Sequence, residues 1–439
     1  MRWLKHGLRR SMRRHSGALI AVACFGVVLT LSVGGCQATE QGLGGLMEEA
    51  ALTLEAQAEA QTLDKAVADY EALDEQARSK WQQTDPWLGV IVKQRQALKA
   101  DTGNARALAQ ACEGMVGRGH YFLAHRTCRQ AISMRPTLPL AHAMLGATYM
   151  MMAADDQAAA SFRKALSLNP KQAGVYFYVG WFYDQVARQP DKARGYYRQA
   201  MAAVDSRHYP DAWYYTAKIQ QKRRQFTQAL ATVEAGLARH RYFSDFHELQ
   251  GSIYRDLSLT TKQDRYFFKA LGSYRQAIAL NPDKAYYHND LGYLYWVHGQ
   301  SKASQKHYAK ALALDGQLTS ALTNMGVLCR EQGHHDQAIG YFKKAVAVDP
   351  NDPENVYGLA EAYYYAGRYR QAEVQLQAYL AQRGEDAEAW YGLGMAYQNQ
   401  QQWDKATEAF AKAVELKPTH QNAQAALTAA QLHKSNPSV

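Results

Sequence analysis

Acidic residues are missing from the first 39 positions, and cysteine and proline are scarce in this chain of 439 residues, with 5 and 11 copies. Six basic residues before position 15 supply much of the formal net charge of +10, and without them the chain carries +4. No dense stripe of lysine and arginine follows, although counterion release on a nucleic acid requires one. The composition therefore argues against nucleic-acid binding.

Motifs for catalysis and cofactor binding are also missing. The sequence contains no Gly-x-Ser-x-Gly, no His-Glu-x-x-His and no glycine-rich phosphate loop with its lysine. His334 and His335 are adjacent, so their side chains point in different directions and are poorly placed to share a metal ion. We expect no enzyme activity, no cofactor and no metal site.

The first 35 residues are organised like a secretory signal peptide. Residues 1–15 are basic and polar, and an apolar run of 17 residues follows from Gly17 to Val33. The run is at the short limit for spanning a bilayer, and an uncleaved membrane helix is the alternative.

The four residues Val33-Gly34-Gly35-Cys36 resemble the lipobox of bacterial lipoproteins. The resemblance implies cleavage before Cys36 and acylation of this cysteine by lipid such as palmitate, which anchors a protein to a membrane. In such lipoproteins an aspartate after the cysteine marks inner-membrane retention, and here Gln37 stands in that place. We expect a location at the periplasmic face of the outer membrane, with the inner membrane as the lesser alternative.

Apolar residues recur with a 34-residue period through most of the chain. The last copy carries Trp390, Leu393, Gly394, Tyr397, Ala406, Phe410, Ala413 and Pro418. This spacing describes a helix pair that buries its apolar face only by stacking on neighbours. The pattern resembles the tetratricopeptide repeat over about residues 105–420. The resemblance implies an all-α superhelical solenoid of about nine helix pairs with N- and C-terminal capping helices, serving as a protein-interaction module.

The chain is divided accordingly. After the signal peptide (1–35) we place a flexible lipid-anchored tether at 36–45 and a helical cap at 46–104, with a projecting spacer as the alternative for the cap. A cap helix and tail follow at 421–439. Nine repeats lie between them, at 105–138, 139–172, 173–209, 210–243, 244–284, 285–318, 319–352, 353–386 and 387–420.

Two repeats are longer than 34 residues. Unit 173–209 is slightly long, and unit 244–284 has about seven extra residues within Leu257 to Phe268. We expect both helices of unit 244–284 to be extended by a turn. The alternative is a projecting, partner-binding loop with Tyr266, Phe267 and Phe268.

Three cysteines remain after Cys24 leaves with the signal peptide and Cys36 is acylated. Cys112 and Cys128 lie on the two helices of one repeat, where antiparallel packing would place them about one turn out of register. We therefore expect two buried thiols rather than a disulfide. Cys329 replaces the usual tyrosine of its repeat and is interpreted as a core residue.

Tyrosine is unusually abundant, with 29 copies against 12 phenylalanines. The resemblance implies that the fifth, ninth, twelfth and thirteenth positions of each first helix line a concave groove. Aromatic residues at these positions are Phe177, Trp181, Tyr214, Tyr293, Trp296, Tyr357, Tyr364, Tyr365 and Tyr391. Polar residues there are Lys218, Lys222, Glu248, Arg255, Asn289, Arg330, Glu361 and Asn399. The asparagine ladder that some family members use to hold a peptide backbone is present only at Asn324.

These residues favour recognition of a partner, since tyrosine and tryptophan suit surfaces that are apolar on one side and wet on the other. The alternative is that the rings only pack on neighbouring helices. We expect a membrane-anchored periplasmic scaffold that binds proteins or peptides of the cell envelope, in assembly or secretion. It resembles repeat-bearing lipoproteins that assist pilus secretin assembly or recruit cell-wall hydrolases. A module that handles polysaccharide, for exopolysaccharide export or at peptidoglycan, is the alternative.

Overall fold

The computed structural model describes residues 40–75, 77–78 and 85–435 of the chain. All regular structure in these ranges is helical, with 21 α-helices, one short 3₁₀ turn and no strand. The predicted all-α fold of paired helices is confirmed. None of the helices in these ranges combines the length and the apolar character needed to cross a bilayer. The predicted signal peptide and Cys36 lie outside the described residues.

The chain divides after Phe243 into two compact units. The first unit contains helices α1 (Glu40–Glu71), α2 (Pro86–Ala100), α3 (Ala105–Arg118), α4 (Tyr121–Met134), α5 (Pro139–Met151), α6 (Asp155–Ser167), α7 (Ala173–Gln185), α8 (Pro190–Ala202), α9 (Asp211–Lys222) and α10 (Phe226–Arg239). The four pairs from α3 to α10 coincide with the first four predicted repeats.

The second unit contains helices α11 (Ser244–Thr261), α12 (Asp264–Leu280), α13 (Ala285–Val297), α14 (Ser301–Leu314), α15 (Thr319–Glu331), α16 (His335–Val348), α17 (Pro353–Tyr365), α18 (Tyr369–Leu380), α19 (Ala387–Asn399), α20 (Trp403–Leu416) and α21 (Gln421–Ser435). Each of the five remaining predicted repeats contains one pair, from α11 to α20. The last helix, α21, packs on α20, where His433 stacks on Trp403 with ring centroids 4.0 Å apart.

A small residue on the first helix and a large ring on the second hold most pairs together. A methyl group at Gly394 would lie 2.5 Å from Cδ1 of Phe410, and one at Gly326 would lie 2.9 Å from Cε2 of Phe342. Tyr308 fills the same place against Gly292. Because only hydrogen stands at the glycine, the two helices approach closely around a buried ring. This contact explains the small residue that recurs in the 34-residue pattern.

The turn inside each repeat uses one residue in the left-handed conformation. Gly299, Gly333 and Gly367 have φ angles of 71°, 77° and 73°, and Gln401 takes the same place with a φ of 60°. Glycine adopts this conformation without a side-chain clash and so ends a helix efficiently.

The N-terminal helices pack on the first repeat. On α1 the Glu59 carboxylate accepts a hydrogen bond of 2.8 Å from the backbone N–H of Leu123. On α2 the indole of Trp87 lies against Gly117 of α3. Helix α1 begins at Glu40, so its first six residues overlap the segment 36–45 that was predicted as a tether. The residues after position 45 favour helix, and the helix extends from them towards the N-terminus to include the glycines before position 46.

The expectation of two thiols at Cys112 and Cys128 is wrong, because the two residues form a disulfide between α3 and α4. Their Cα atoms are 5.7 Å apart, which is within the ordinary range for a disulfide. The turn between the helices is Gly119–His120, and Cys112 lies seven residues before it while Cys128 lies eight residues after it. The mismatch is therefore about one residue, or about 1.5 Å along a helix, rather than one turn. Cys329 is a buried free thiol, as interpreted.

The extra residues of the 244–284 repeat lengthen both helices, as expected. Helix α11 has 18 residues and α12 has 17, and only Lys262 and Gln263 separate them. The alternative of a projecting loop is wrong. Phe267 is buried beside the end of α11, whereas Phe268 is 64% exposed.

We expect the Cys112–Cys128 disulfide to stabilise the first unit. Replacing both cysteines with alanine should lower its free energy of unfolding by about 3 kcal/mol, because the unfolded chain loses a short covalent loop. Dithiothreitol should lower the melting temperature of the wild type but not of this double variant. The Cys329→Ala variant is the control and should keep the response to reductant. Equal melting of the wild type with and without dithiothreitol would contradict the disulfide.

Candidate functional site

In the second unit, the first helices of consecutive repeats lie side by side. Helix α11 contacts α13, and the same contact joins α13 to α15, α15 to α17 and α17 to α19. We call α11, α13, α15, α17 and α19 the first-helix layer, and α12, α14, α16, α18 and α20 the second-helix layer. The predicted groove positions of this unit all lie on the first-helix layer.

Side chains on this layer contact one another from repeat to repeat. The indole N–H of Trp296 on α13 donates a 2.7 Å hydrogen bond to Glu331 of α15. Arg330 of α15 forms an ion pair with Glu361 of α17. The exposed Asn399 of α19 donates to the hydroxyl of Tyr364 over 3.4 Å. A row of polar and aromatic groups therefore crosses four consecutive repeats.

The row continues towards α11 through aromatic contacts. The Tyr293 ring lies 5.4 Å from the Trp296 ring, and the Arg255 guanidinium lies 5.2 Å from the Tyr293 ring centroid. Arg255 also pairs with Asp256 at 2.8 Å. These rings are half-buried, with part of their surface exposed. They are thus positioned by neighbours while part of each ring can contact a ligand.

Tyr357 and Tyr391 are half-buried and pack more strongly on the second-helix layer. The Tyr357 ring is 5.0 Å from Tyr379 of α18, and the Tyr391 ring is 5.8 Å from Phe410 of α20. Burial raises the pKa of Tyr357, and the nearby charges of Glu361 and other carboxylates raise it further. The phenol of Tyr357 therefore stays protonated in a negative environment. Tyr365, on the same helix, is 57% exposed.

Two polar residues predicted to face a groove are buried instead. Glu248 and Asn289 are both 6% exposed. Asn289 accepts a 2.9 Å hydrogen bond from the side-chain amide of Asn324, which lies on the next first helix. Asn324 is half-buried and is engaged in this contact rather than in a ladder. These two asparagines therefore tie two repeats together.

In the first unit, Phe177 and Trp181 of α7 are also buried, so their predicted exposure in a groove is wrong. Their exposed fractions are 1% and 4%. Tyr214 on α9 remains half-buried, with the ammonium of Lys218 5.4 Å from its ring centroid, and Lys222 is exposed. Helix α7 is apolar on nearly all sides, as expected of a helix with neighbours all around it.

The residues that cover α7 come from the segment between α8 and α9, including the 3₁₀ turn Ser206–His208. The Tyr209 ring lies 5.3 Å from Phe177 and 5.4 Å from Trp87 of α2. Asp205 accepts a 2.8 Å hydrogen bond from the backbone N–H of Ala173 at the start of α7. The extra residues of unit 173–209 therefore fold back over the first helices of the first unit.

The hydroxyl of Tyr209 contacts a buried carboxylate. It donates a short hydrogen bond to Glu113 of α3, and a methyl group at Gly174 would clash with both groups. Burial raises the pKa of Glu113 to about 7, the bond from Tyr209 lowers it, and the charge of Asp205 raises it. The sequence signal for this contact is the lone acidic residue of α3, together with the long repeat.

Metal chemistry finds no support in the described ranges, where no group of three His, Cys, Asp or Glu side chains is placed to hold an ion. The imidazole of His335 lies near the Tyr365 ring, with centroids 6.1 Å apart. The arrangement on the first-helix layer can bind a ligand by hydrogen bonds, ion pairs and ring contacts.

The buried Glu113 should make the stability of the first unit depend on pH. Its folded pKa of about 7 is above the ordinary value of 4.5, so its stabilisation is complete below pH 4.5 and is lost as pH rises through 7. The shift corresponds to about 3 kcal/mol. The Glu113→Gln variant keeps an acceptor for Tyr209 but does not ionise. Between pH 5 and pH 8, the wild type should therefore lose stability relative to this variant in thermal melts.

Glu234→Gln on the surface of α10 is the control for Glu113→Gln and should melt in parallel with the wild type at every pH. A difference between wild type and Glu113→Gln that stays constant from pH 5 to pH 8 would show that Glu113 is not perturbed.

Family models support the helix-pair fold in several segments. Models described as tetratricopeptide repeats match residues 140–172, 289–355, 330–391 and 387–420. Tetratricopeptide repeat protein 37 of Xenopus laevis is 23% identical over an alignment that covers 47% of this chain. The chain spans about 15% of the length of that relative.

Solved structures of similar fold share little sequence with the chain. The human IFIT1 dimer with m7Gppp-AAAA aligns with a TM-score of 0.51 and 16% identity, covering 85% of this chain and 87% of that one. PilW, a widely conserved type IV pilus biogenesis factor, aligns with a TM-score of 0.43 and 24% identity, covering 50% of this chain and 98% of that one. The matched models and the helix pairs together show that this chain contains tetratricopeptide repeats, in residues 140–172 and 289–420.

Proposed function

We propose that the chain is a membrane-anchored periplasmic scaffold that binds a partner protein along the first-helix layer of its second unit. The observation that carries the proposal is the row of partly exposed rings and polar groups from Arg255 to Asn399, held by contacts between consecutive repeats. Tetratricopeptide repeats are scaffolds for protein binding. The row supplies the side chains that such binding needs.

The residue types of the row suit protein recognition. Tyrosine, tryptophan and arginine dominate the energetics of protein interfaces, because they combine large contact areas with polar groups. The indole of Trp296 is already held by Glu331, and the ring of Tyr293 by Arg255. Side chains that are ordered before binding lose less conformational entropy when a partner arrives.

The arrangement supports a peptide ligand over a polysaccharide. A sugar chain would be favoured by tryptophan rings that form a continuous flat platform. Trp296 is the one tryptophan among the predicted groove residues of the second unit, and Arg330, Glu361 and Asn399 separate the remaining rings. Charged and amide groups between rings are suited to the backbone and side chains of a peptide.

The anchor and the location are supported by the sequence. The lipobox-like Val33-Gly34-Gly35-Cys36 after an apolar run favours acylation of Cys36, and Gln37 favours the outer membrane. The disulfide between Cys112 and Cys128 is consistent with the periplasm, because disulfides persist in oxidising compartments.

Partner capture should depend on Trp296. A photo-crosslinking amino acid in place of the exposed Tyr365, in cells that express the chain, should form a covalent adduct with a defined envelope protein. Adding Trp296→Ala should reduce the adduct several-fold, since loss of a central tryptophan typically costs about 2 kcal/mol or more. Phe268→Ala removes an exposed ring from the second-helix layer and is the matched control. An adduct of unchanged yield with Trp296→Ala would refute binding on the first-helix layer.

Membrane attachment should depend on Cys36. The Cys36→Ser variant should lose labelling by a fatty-acid probe, because serine lacks the thiol that is acylated. Sucrose-gradient fractionation should place the wild type with outer-membrane markers. Labelling that persists in the variant would contradict the assigned lipid site, and co-migration of the wild type with inner-membrane markers would contradict the location.

A further inference from the structure

Charge is segregated between the two helix layers of the second unit. The five helices of the first-helix layer contain eight aspartates and glutamates but two arginines, which gives a formal charge of −6. The five helices of the second-helix layer contain eleven lysines and arginines and six acidic residues, a formal charge of +5. This contrast exists although the charges of the unit as a whole nearly cancel. The helices of the first-helix layer therefore carry a negative formal charge within a nearly neutral unit.

Several of these carboxylates are accessible. Glu331 and Glu354 are exposed, and the side chain of Glu361 is 31% exposed. Their charges act on the surrounding rings. Burial is the largest cause that raises the pKa of Tyr357 on α17, and the charge of Glu361 raises it further. A carboxylate of this layer thus acts on one of its rings.

Arg255 shows how this surface holds a cation. Its guanidinium lies 5.2 Å from the centroid of the Tyr293 ring and forms an ion pair with the carboxylate of Asp256 at 2.8 Å. Although burial alone would lower the pKa of Arg255, nearby negative groups including Asp256 raise it. A cation is thus stabilised here by a ring face and a carboxylate together.

The same combination of ring and carboxylate recurs one repeat further on. Glu331 accepts the indole N–H of Trp296 and remains exposed. The carboxylate is therefore held at the edge of an aromatic ring with part of both groups facing solvent. A lysine or arginine from outside could bind here as Arg255 binds to Tyr293 and Asp256.

We propose that the partner segment is cationic, a stretch of protein rich in lysine or arginine that lies along the first-helix layer from α13 to α17. The inference rests on the proposed function and adds the chemistry of the partner to it. Charge complementarity brings the segment to the first-helix layer, and the positive second-helix layer repels it. The row of rings then supplies cation–π contacts to its side chains.

The test uses the full chain and fluorescein-labelled peptides of ten residues that alternate glycine with lysine, serine or glutamate. Fluorescence anisotropy in 10 mM salt should show that the lysine peptide binds at least about tenfold more tightly than the other two. Its affinity should fall as salt rises to 150 mM, because exposed charges are screened. Tighter binding of the serine or glutamate peptide would overturn the proposal.

The double variant Glu331→Gln/Glu354→Gln removes two exposed charges from consecutive first helices. It should bind the lysine peptide about tenfold more weakly. Glu408→Gln/Glu415→Gln changes the net charge equally but on exposed positions of α20, and it should bind like the wild type. Equal weakening by both double variants would show that only overall charge matters and would overturn the proposal.

Failure of this proposal is distinguishable from failure of the proposed function. If the Trp296→Ala change removes the crosslinked partner while the lysine peptide shows no preference, the layer binds a partner of other chemistry and the cationic segment is refuted. If the lysine peptide binds through Glu331 and Glu354 but the crosslink is independent of Trp296, the cation site stands and the proposed role of the row in partner capture is refuted.

Discussion

The close approach of a first-helix glycine to a second-helix ring is the contact on which the rest of this protein depends. Gly326 and Gly394 leave space that Phe342 and Phe410 fill completely. Phe342 also contacts Gly358 at the start of the next pair, so one ring joins both helices of its own repeat and the repeat that follows. Filling this space with a larger side chain would overpack the core, which typically costs about 1–3 kcal/mol. The small and the large residues recur in the 34-residue pattern because this contact recurs from repeat to repeat.

Each first helix buries the face that carries its small residue. The adjacent face of the helix then lies beside the corresponding face of the first helix in the next repeat. In the second unit this places Trp296 beside Glu331 and Arg330 beside Glu361. The contacts are both structural and available, because each side chain keeps part of its surface in solvent. The contacts between consecutive repeats and the proposed binding surface therefore use the same side chains. The negative formal charge of the layer favours a cationic partner in the proposed complex.

The first unit uses the same scaffold with a different outcome. Tyr209 and Asp205 come from the few extra residues after α8. Tyr209 is buried against α2, α3 and α7, and the half-buried Asp205 accepts a hydrogen bond from the start of α7. In the first unit, this segment covers part of the first-helix face that stays partly exposed in the second unit. The same packing buries the carboxylate of Glu113. Phe177 became a core residue for this reason. Equivalent positions in a repeat pattern therefore do not imply equivalent exposure.

The sequence by itself determined the paired helices and the positions of Tyr293, Trp296 and Tyr364 on one layer, because these follow from local periodicity. Only the tertiary structure decided which of the pattern positions are accessible. Whether Phe177 is exposed depends on Tyr209, 32 residues away, and the fate of Glu113 depends on the same residue, 96 positions away. The disulfide required the register of α3 against α4, which a two-residue turn sets to within about one residue. Such long-range contacts leave no periodic signal, since a single inserted segment can cover a face that the repeat pattern would leave open.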